Sequence, residues 1–321
     1  MALTMPGVGM QDEPANVRML AAQLAARIPI PTELPVRYDG QRLTHLSQSS
    51  YRLWVLCREA WRRTYICGER EAPTGGMFLG SRVDDALSDY YRHLLAHSER
   101  LPVDEVIERY RNGWKEKLEA EQRRRGVMFD ELDEPTMLKI GVDAIKVTFA
   151  RIVPELGTPV AVQRRVEFKL FSGLKWWIEG HLDLETQSPD FLDDTITEIV
   201  DYKVKGSAIS KDKADSDPQP SLYLAGRWLE GQPGPHRFLF AQLLRPGEKR
   251  KSFGTSLVRT QRTVGQMRAT LARFALAASE IVASYEQLGP DRPWGFAEPT
   301  HWKCSKKFCS HWASCPGGAG L

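Results

Sequence analysis

The hydrophobic repeat changes period at Pro159, and that change restricts the chain to a mixed α/β fold. Residues 47–155 read as mostly helical, whereas residues 159–171 (PVAVQRRVEFKLF) alternate with the period of two that a strand requires. Ser172-Gly173 is a turn signal, and residues 174–186 (LKWWIEGHLDLET) form a second strand. After a polar stretch at 187–194, residues 196–205 (ITEIVDYKVK) form a third, and residues 236–244 (HRFLFAQLL) a fourth. Between them residues 219–230 read as a helix, and a further helix covers 264–288. Ahead of the strands, one helix runs from a cap at Ser47, Ser49 or Ser50 to about Ile66. Others occupy roughly 78–98, 103–125 and 134–153, the last two opening near Pro102 and Pro135, where proline is tolerated.

The expected organisation follows from that order. Residues 1–45 are an extension in which Pro29, Pro31 and Pro35 rule out a long helix. Residues 46–155 make a helical lobe, 156–245 a mixed central sheet flanked by helices, and 246–321 a C-terminal helix followed by a cysteine-rich loop. A chain of 321 residues buries a core without disulfide staples. No signal pattern opens it and no apolar run is long enough to span a bilayer, so the expected compartment is the cytoplasm, with no membrane partner. There, grouped cysteines hold metal more often than they form disulfides. A net charge of +3 is too mild to establish a nucleic-acid partner, so charge clustering matters more than the total.

Two acidic positions lie on consecutive strands: Asp183 in Gly180-His181-Leu182-Asp183, and Asp201 in Val200-Asp201-Tyr202-Lys203. Residues i and i+2 of a strand share a face, so Asp201 and Lys203 point the same way, and hairpin pairing brings Asp183 beside them. Two carboxylates about 4 Å apart repel by about 4 kcal/mol at an effective dielectric near 20. A divalent, oxygen-preferring cation such as Mg²⁺ or Mn²⁺ answers that repulsion, polarises a phosphoryl oxygen and acidifies water. Lys203 is then placed to steady negative charge in a transition state. Gln219 and Tyr223, four apart, share one helix face.

This succession, Gly-x-x-Asp, Asp-x-Lys eighteen residues later, then Gln-x-x-x-Tyr, resembles the RecB-like branch of the PD-(D/E)XK nucleases. The resemblance implies that Asp183 and Asp201 bind metal, that the Tyr202 carbonyl is a further ligand, that Lys203 is catalytic, and that Gln219 and Tyr223 line the site. It also implies an upstream metal-binding histidine in a Gly-x-x-x-His pattern. Here the pattern reads Gly80-Ser81-Arg82-Val83-Asp84, so Asp84 stands in the histidine position, with Asp85 as a neighbouring alternative. Aspartate is the harder ligand and shifts preference toward Mg²⁺.

Cys304, Cys309 and Cys315 make a compact metal loop one ligand short of a closed tetrahedral site. Zinc would complete it with His301 or His311, whereas an iron–sulfur cluster requires a fourth thiolate. Cys57, in the helical stretch LSQSSYRLWVLCREAW, supplies one. That stretch resembles the first-cysteine region of RecB-like nucleases carrying an iron–sulfur cluster, among them CRISPR-associated and phage exonucleases and the AddB subunit of a helicase–nuclease. The resemblance implies a [4Fe–4S] cluster on Cys57, Cys304, Cys309 and Cys315, leaving Cys67 as a small buried hydrophobe. Four residues separate Cys304 from Cys309 where two are common, which leaves the cluster type open.

The expected function is a metal-dependent DNA exonuclease acting on single-stranded ends, 5′→3′ by resemblance, with partners in recombination, repair or spacer capture. Two rival readings are a catalytically degenerate DNA-binding or adaptor module, and a structural-zinc endonuclease. Arg123–Arg125, Lys205, Lys211, Lys213 and Lys249–Lys251 are candidate phosphate contacts, and one of Trp176 and Trp177 is expected in the core.

Overall fold

The computed structural model describes residues 19, 22–24, 26–129, 133–189, 195–231, 236–247 and 250–318. Most of the expected N-terminal extension before residue 26, part of the polar stretch at 187–194, and Lys249 lie outside the described residues.

Six strands form one sheet: β1 His45–Ser47, β2 Thr158–Phe168, β3 Trp177–Pro189, β4 Thr195–Lys205, β5 His236–Leu244 and β6 Gly254–Thr260. The long β3 is the organiser. Along one edge it pairs antiparallel with β2; along the other it pairs with β1 at its start and with β4 at its end. β4 continues into a parallel pairing with β5, and β6 closes the far edge antiparallel to β5. The two central strands β4 and β5 are buried along most of their length, as expected where a sheet is covered on both faces.

Helices cover both faces. One layer holds α1 Gln48–Leu56, α2 Arg58–Tyr65, α6 Lys211–Ser216, α7 Pro218–Leu229 and α8 Val264–Leu288. Trp54, Trp61, Leu222, Phe274 and Ile281 pack there against Val166, Ile178, Ile199 and Phe238 of the sheet. The opposite layer holds α3 Gly75–His97, α4 Val103–Arg124 and α5 Glu134–Arg151, whose Leu79, Trp114 and Ile145 pack on Leu184, Val200 and Leu239. The expected α/β core with flanking helices is therefore present. Residues 48–65 lie in the layer of α8, on the other side of the sheet from α3–α5. Leu34 and Leu43, from the stretch read as an extension, are buried in that same layer.

Two local readings need correction. Cys57 does not sit mid-helix. It has extended backbone (φ −159°, ψ 107°), ends α1, and caps α2 by accepting the Ala60 N–H on its sulfur at 3.4 Å. The break is fixed from outside the helix, because the Glu59 N–H donates to the Gly295 carbonyl at 2.8 Å. Cys67 is not an apolar filler: Arg62 donates to its sulfur at 3.0 Å, and it is half-buried. Of the tryptophan pair, Trp176 is fully buried and donates to the Pro31 carbonyl, while Trp177 is 36% exposed beneath the Lys169 ammonium.

Candidate active site and cysteine clasp

The candidate site lies where two strands part. The β3–β4 pairing ends at Leu184↔Val200; beyond it β4 runs on with β5 alone, and β3 with β2. The next pair in that register would be Asp183 and Asp201, so both carboxylates stand at the fork. On that edge of β3, residues 180–183 fall between β1 and β4 with no strand partner. The Tyr202 N–H turns into this gap and donates to Asp183 Oδ2 at 2.8 Å.

From α7, Gln219 donates its amide to Asp201 Oδ1 at 2.9 Å, and Lys203 donates to the same oxygen at 2.7 Å. Tyr223 lies one turn on, hydrogen-bonded to Gln219. Its ring passes under Gly180 so closely that a Cβ there would lie 2.2 Å from a ring carbon, which explains the glycine of Gly-x-x-Asp. From α3 in the opposite layer, Asp84 approaches the acids, held by the Gln163 amide at 3.0 Å. Asp85, the alternative, turns outward to Arg82. The Tyr202 ring points into the α3 layer, where its hydroxyl meets that of Tyr91 at 2.9 Å.

The electrostatics report a shortage of positive charge. Burial, then repulsion from Asp201, pushes the Asp183 carboxyl up to about 8, against attraction by Lys203. Burial also raises Asp84, although Lys203 and the Gln163 hydrogen bond oppose it. Burial acts to lower Lys203, but the charges of Asp201 and Asp183 outweigh it and hold the ammonium protonated. Tyr223 is pushed up to about 12 by burial and by the two acids. Two oxygens, Asp201 Oδ2 and Asp84 Oδ1, are buried with no hydrogen-bond partner. Among the described residues no three His, Cys, Asp or Glu side chains are placed as a group that could hold a metal ion as they stand. The orphaned oxygens and the mutual repulsion nonetheless fit a cation that would draw the acids together.

A stability prediction follows from Asp183. A carboxyl whose folded pKa is raised contributes stability below its unfolded value, near 4, and loses it as pH climbs toward the folded value of about 8. Metal-free wild-type protein should therefore weaken across that window, and Asp183→Asn, which keeps only the raised Asp84 carboxyl, should weaken less. Thermal melts from pH 5 to 8 are expected to show the variant gaining on wild type as pH rises. Added Mg²⁺ should narrow the gap by stabilising wild type alone. A gap that ignores both pH and Mg²⁺ would refute the charge-crowding account.

The fork opens to a cleft of about 500 Å³ lined by Thr74, Met77, Asp84, Asp183, Lys203 and Lys205. The other basic candidates are mostly engaged: Arg123, Arg124 and Arg125 pair with Glu119 and Glu121, and Lys211 with Asp215.

Among the described residues the four cysteines of the expected cluster are not placed as a group that could hold a metal ion as they stand, although several feel one another's charge. Burial raises the Cys304 thiol, and the charges of Cys57 and Cys315 raise it further; burial likewise raises Cys309, with Cys315 adding to the effect. The segments carrying them are laced together. Arg63 donates to Ser314 Oγ and its carbonyl at 2.9 Å, Lys303 pairs with Glu71 at 2.9 Å, and Trp294 N–H donates to the buried Glu59. His311 contacts Glu69 through Nδ1 while its Nε2 is buried with no hydrogen-bond partner, and His301 accepts from the Lys303 N–H through its own Nδ1.

Gln163 and the Tyr91–Tyr202 pair were not legible in the sequence, since a glutamine in an alternating strand looks like any solvent-facing polar residue. No curated protein matches the chain. A crystal structure from Eubacterium rectale, provisionally described as an exonuclease, is similar at 12% identity and a TM-score of 0.43, covering 94% of this chain and 93% of that one. The family model of the PD-(D/E)XK nuclease superfamily matches residues 45–316, a span that takes in both strands of the fork, α7 and all the cysteines. The chain belongs to the PD-(D/E)XK nuclease superfamily.

Proposed function

We propose that the chain is a divalent-metal-dependent DNA exonuclease that degrades single-stranded ends. Asp183, Asp201, Asp84 and the Tyr202 carbonyl would hold Mg²⁺ or Mn²⁺. The observation that carries this reading is the fork itself: two acids from the sheet and one from α3 around one lysine, with Asp201 Oδ2 and Asp84 Oδ1 buried and unpartnered. A cation bound there supplies Lewis acidity to a phosphoryl oxygen and acidifies water. Lys203, kept charged by its acids, faces the developing negative charge on phosphorus. Gln219 fixes the Asp201 rotamer, and Tyr223 braces Gln219. The intact Asp183, Asp201 and Lys203 favour this over a degenerate binding module.

The same reading gives Cys57, Cys304, Cys309 and Cys315 a structural [4Fe–4S] cluster. It is supported by the contacts that hold the segments carrying them together, Lys303 with Glu71 and Arg63 with Ser314, and by Cys57 standing at a helix joint.

Substrate tests the exonuclease assignment. Linear single-stranded DNA should be degraded faster than circular single strands or blunt duplex, with EDTA abolishing all three activities. Substrates labelled at the 5′ or 3′ end report polarity, for which the family resemblance favours 5′→3′. Binding should weaken steeply with salt, because a cleft lined by Lys203 and Lys205 would meet phosphates. Circular strands cut as fast as linear ones would make the protein an endonuclease.

A further inference from the structure

We propose that Gln163 is a positioning residue that aims Asp84 at the cation, and that its backbone is held in an unfavourable conformation to do so. This rests on the metal-dependent reading of the fork. Gln163 lies in β2 directly opposite Asp183, flanked by the pairs Val162↔Leu184 and Arg164↔Leu182. Its φ is +48°, in the left-handed region that residues with a side chain avoid. Among the described non-glycine residues only Ser98 shares a positive φ, and Ser98 ends a helix, where that conformation is ordinary. Inside an eleven-residue strand it is not.

The strand is turned at this residue. Before the turn Val162 packs against the core of α3–α5; after it Val166 and Phe168 belong to the core of α7 and α8, and Arg164 reaches Glu185 and Glu230. The turn sends the Gln163 side chain toward α3. There its amide donates to Asp84 Oδ2 at 3.0 Å and to Ser88 Oγ at 2.9 Å, two acceptors one helical turn apart. With Oδ2 held, Asp84 Oδ1 remains buried and unpartnered. A carboxylate with one oxygen tied to a protein donor and the other free is the arrangement of a metal ligand with its supporting partner, and removing such partners weakens metal binding about 10- to 100-fold. Backbone conformations of this kind concentrate where function over-determines them.

A plain structural tie between β2 and α3 would look the same in a static view, so the test reads the metal directly. Mn²⁺ binding to the full chain is measured by calorimetry and by the EPR signal of free Mn²⁺, for wild type, Gln163→Ala, Gln163→Gly, Asp84→Asn and the Gln163→Ala/Asp84→Asn double variant. Gln163→Ala should bind Mn²⁺ about 10-fold more weakly or worse. Its cleavage rate should recover at saturating Mn²⁺, so that the metal requirement moves and the maximum rate does not. Gln163→Gly, which also relieves the backbone, should bind equally weakly while melting higher than Gln163→Ala. In the Asp84→Asn background, Gln163→Ala should change Mn²⁺ affinity by less than about twofold, since the two act as one unit. The proposal is overturned by wild-type affinity in both Gln163 variants, by an equal loss in the Asp84→Asn background, or by failure of both variants to fold. A wild-type chain that takes up no Mn²⁺ would instead bring down the metal reading itself and this assignment with it.

Discussion

Asp201→Asn is expected to lose cleavage by about 10³-fold or more while keeping its fold and its affinity for single-stranded DNA. Asparagine preserves an Oδ1 acceptor for the Gln219 amide and for Lys203, so the local hydrogen bonds survive. What disappears is the negative charge and with it the hold on a cation. Lys203 tolerates the change because the Asp183 charge remains beside it. Lys203→Met should lose activity on a similar scale for the complementary reason: the acids and any cation remain, but the charge facing phosphorus is gone. Digestion of end-labelled DNA, beside circular dichroism melts and filter binding, separates chemistry from folding. Near-wild-type cleavage by pure Asp201→Asn protein would remove Asp201 from the mechanism.

The second large effect concerns the cysteines. Anaerobically purified protein should be brown and contain iron and sulfide, and Cys57→Ser should lose the colour as completely as Cys309→Ser. Cys67→Ser should keep it, because Cys67 is tied to Arg62. Cys57 and Cys304 are separated by about 250 residues, and cross-linking a loop of that length restrains the unfolded chain by a few kcal/mol in the chain-entropy picture. For a chain of this size that corresponds to a fall in Tm of roughly 4–8 °C on losing the cluster. The ion pairs Glu71–Lys303 and the Arg63–Ser314 contacts should keep the two segments associated, so loss of the cluster is expected to loosen rather than unfold them. Zinc at one equivalent with no iron, in protein prepared without oxygen, would establish the zinc alternative.

Much of this was legible in the sequence because it depended on local pattern. The apolar runs in residues 196–205 and 236–244 mark the two central strands, and the long helical stretch at 264–288 is α8. The acids, lysine, glutamine and tyrosine were singled out by the resemblance of their ordered succession to a nuclease family, since strand-face and helix-face spacing alone fits ordinary surface residues as well. What escaped was set by tertiary contact. The edge strand β6 is half-buried on both faces over most of its length, so it has no alternation to read. Residues 174–176 look like strand, yet the Lys175 N–H donates to the Thr32 carbonyl, and β3 begins only at Trp177. The helix break at Cys57 depends on Gly295, and the turn at Gln163 depends on α3. Neither partner is near in sequence, and no local propensity announces either.

The division of the helices between the two faces of the sheet also governs how the molecule comes together. The layer of α1, α2 and α8 is closed by contacts such as Trp54 with Glu280 and Arg62 with Pro290, partners 226 and 228 residues apart. Contacts of such high sequence separation are slow to form, because the loop must close before the contact stabilises it. The α3–α5 helices, by contrast, are consecutive and meet one another locally. Folding should therefore proceed unevenly, with the α3–α5 helices associating early while the other face of the sheet stays open to solvent. Until α8 docks, that open face presents Phe238, Phe240 and Ile199 to other chains. Slower expression and co-expressed chaperones are therefore expected to raise the yield of folded protein.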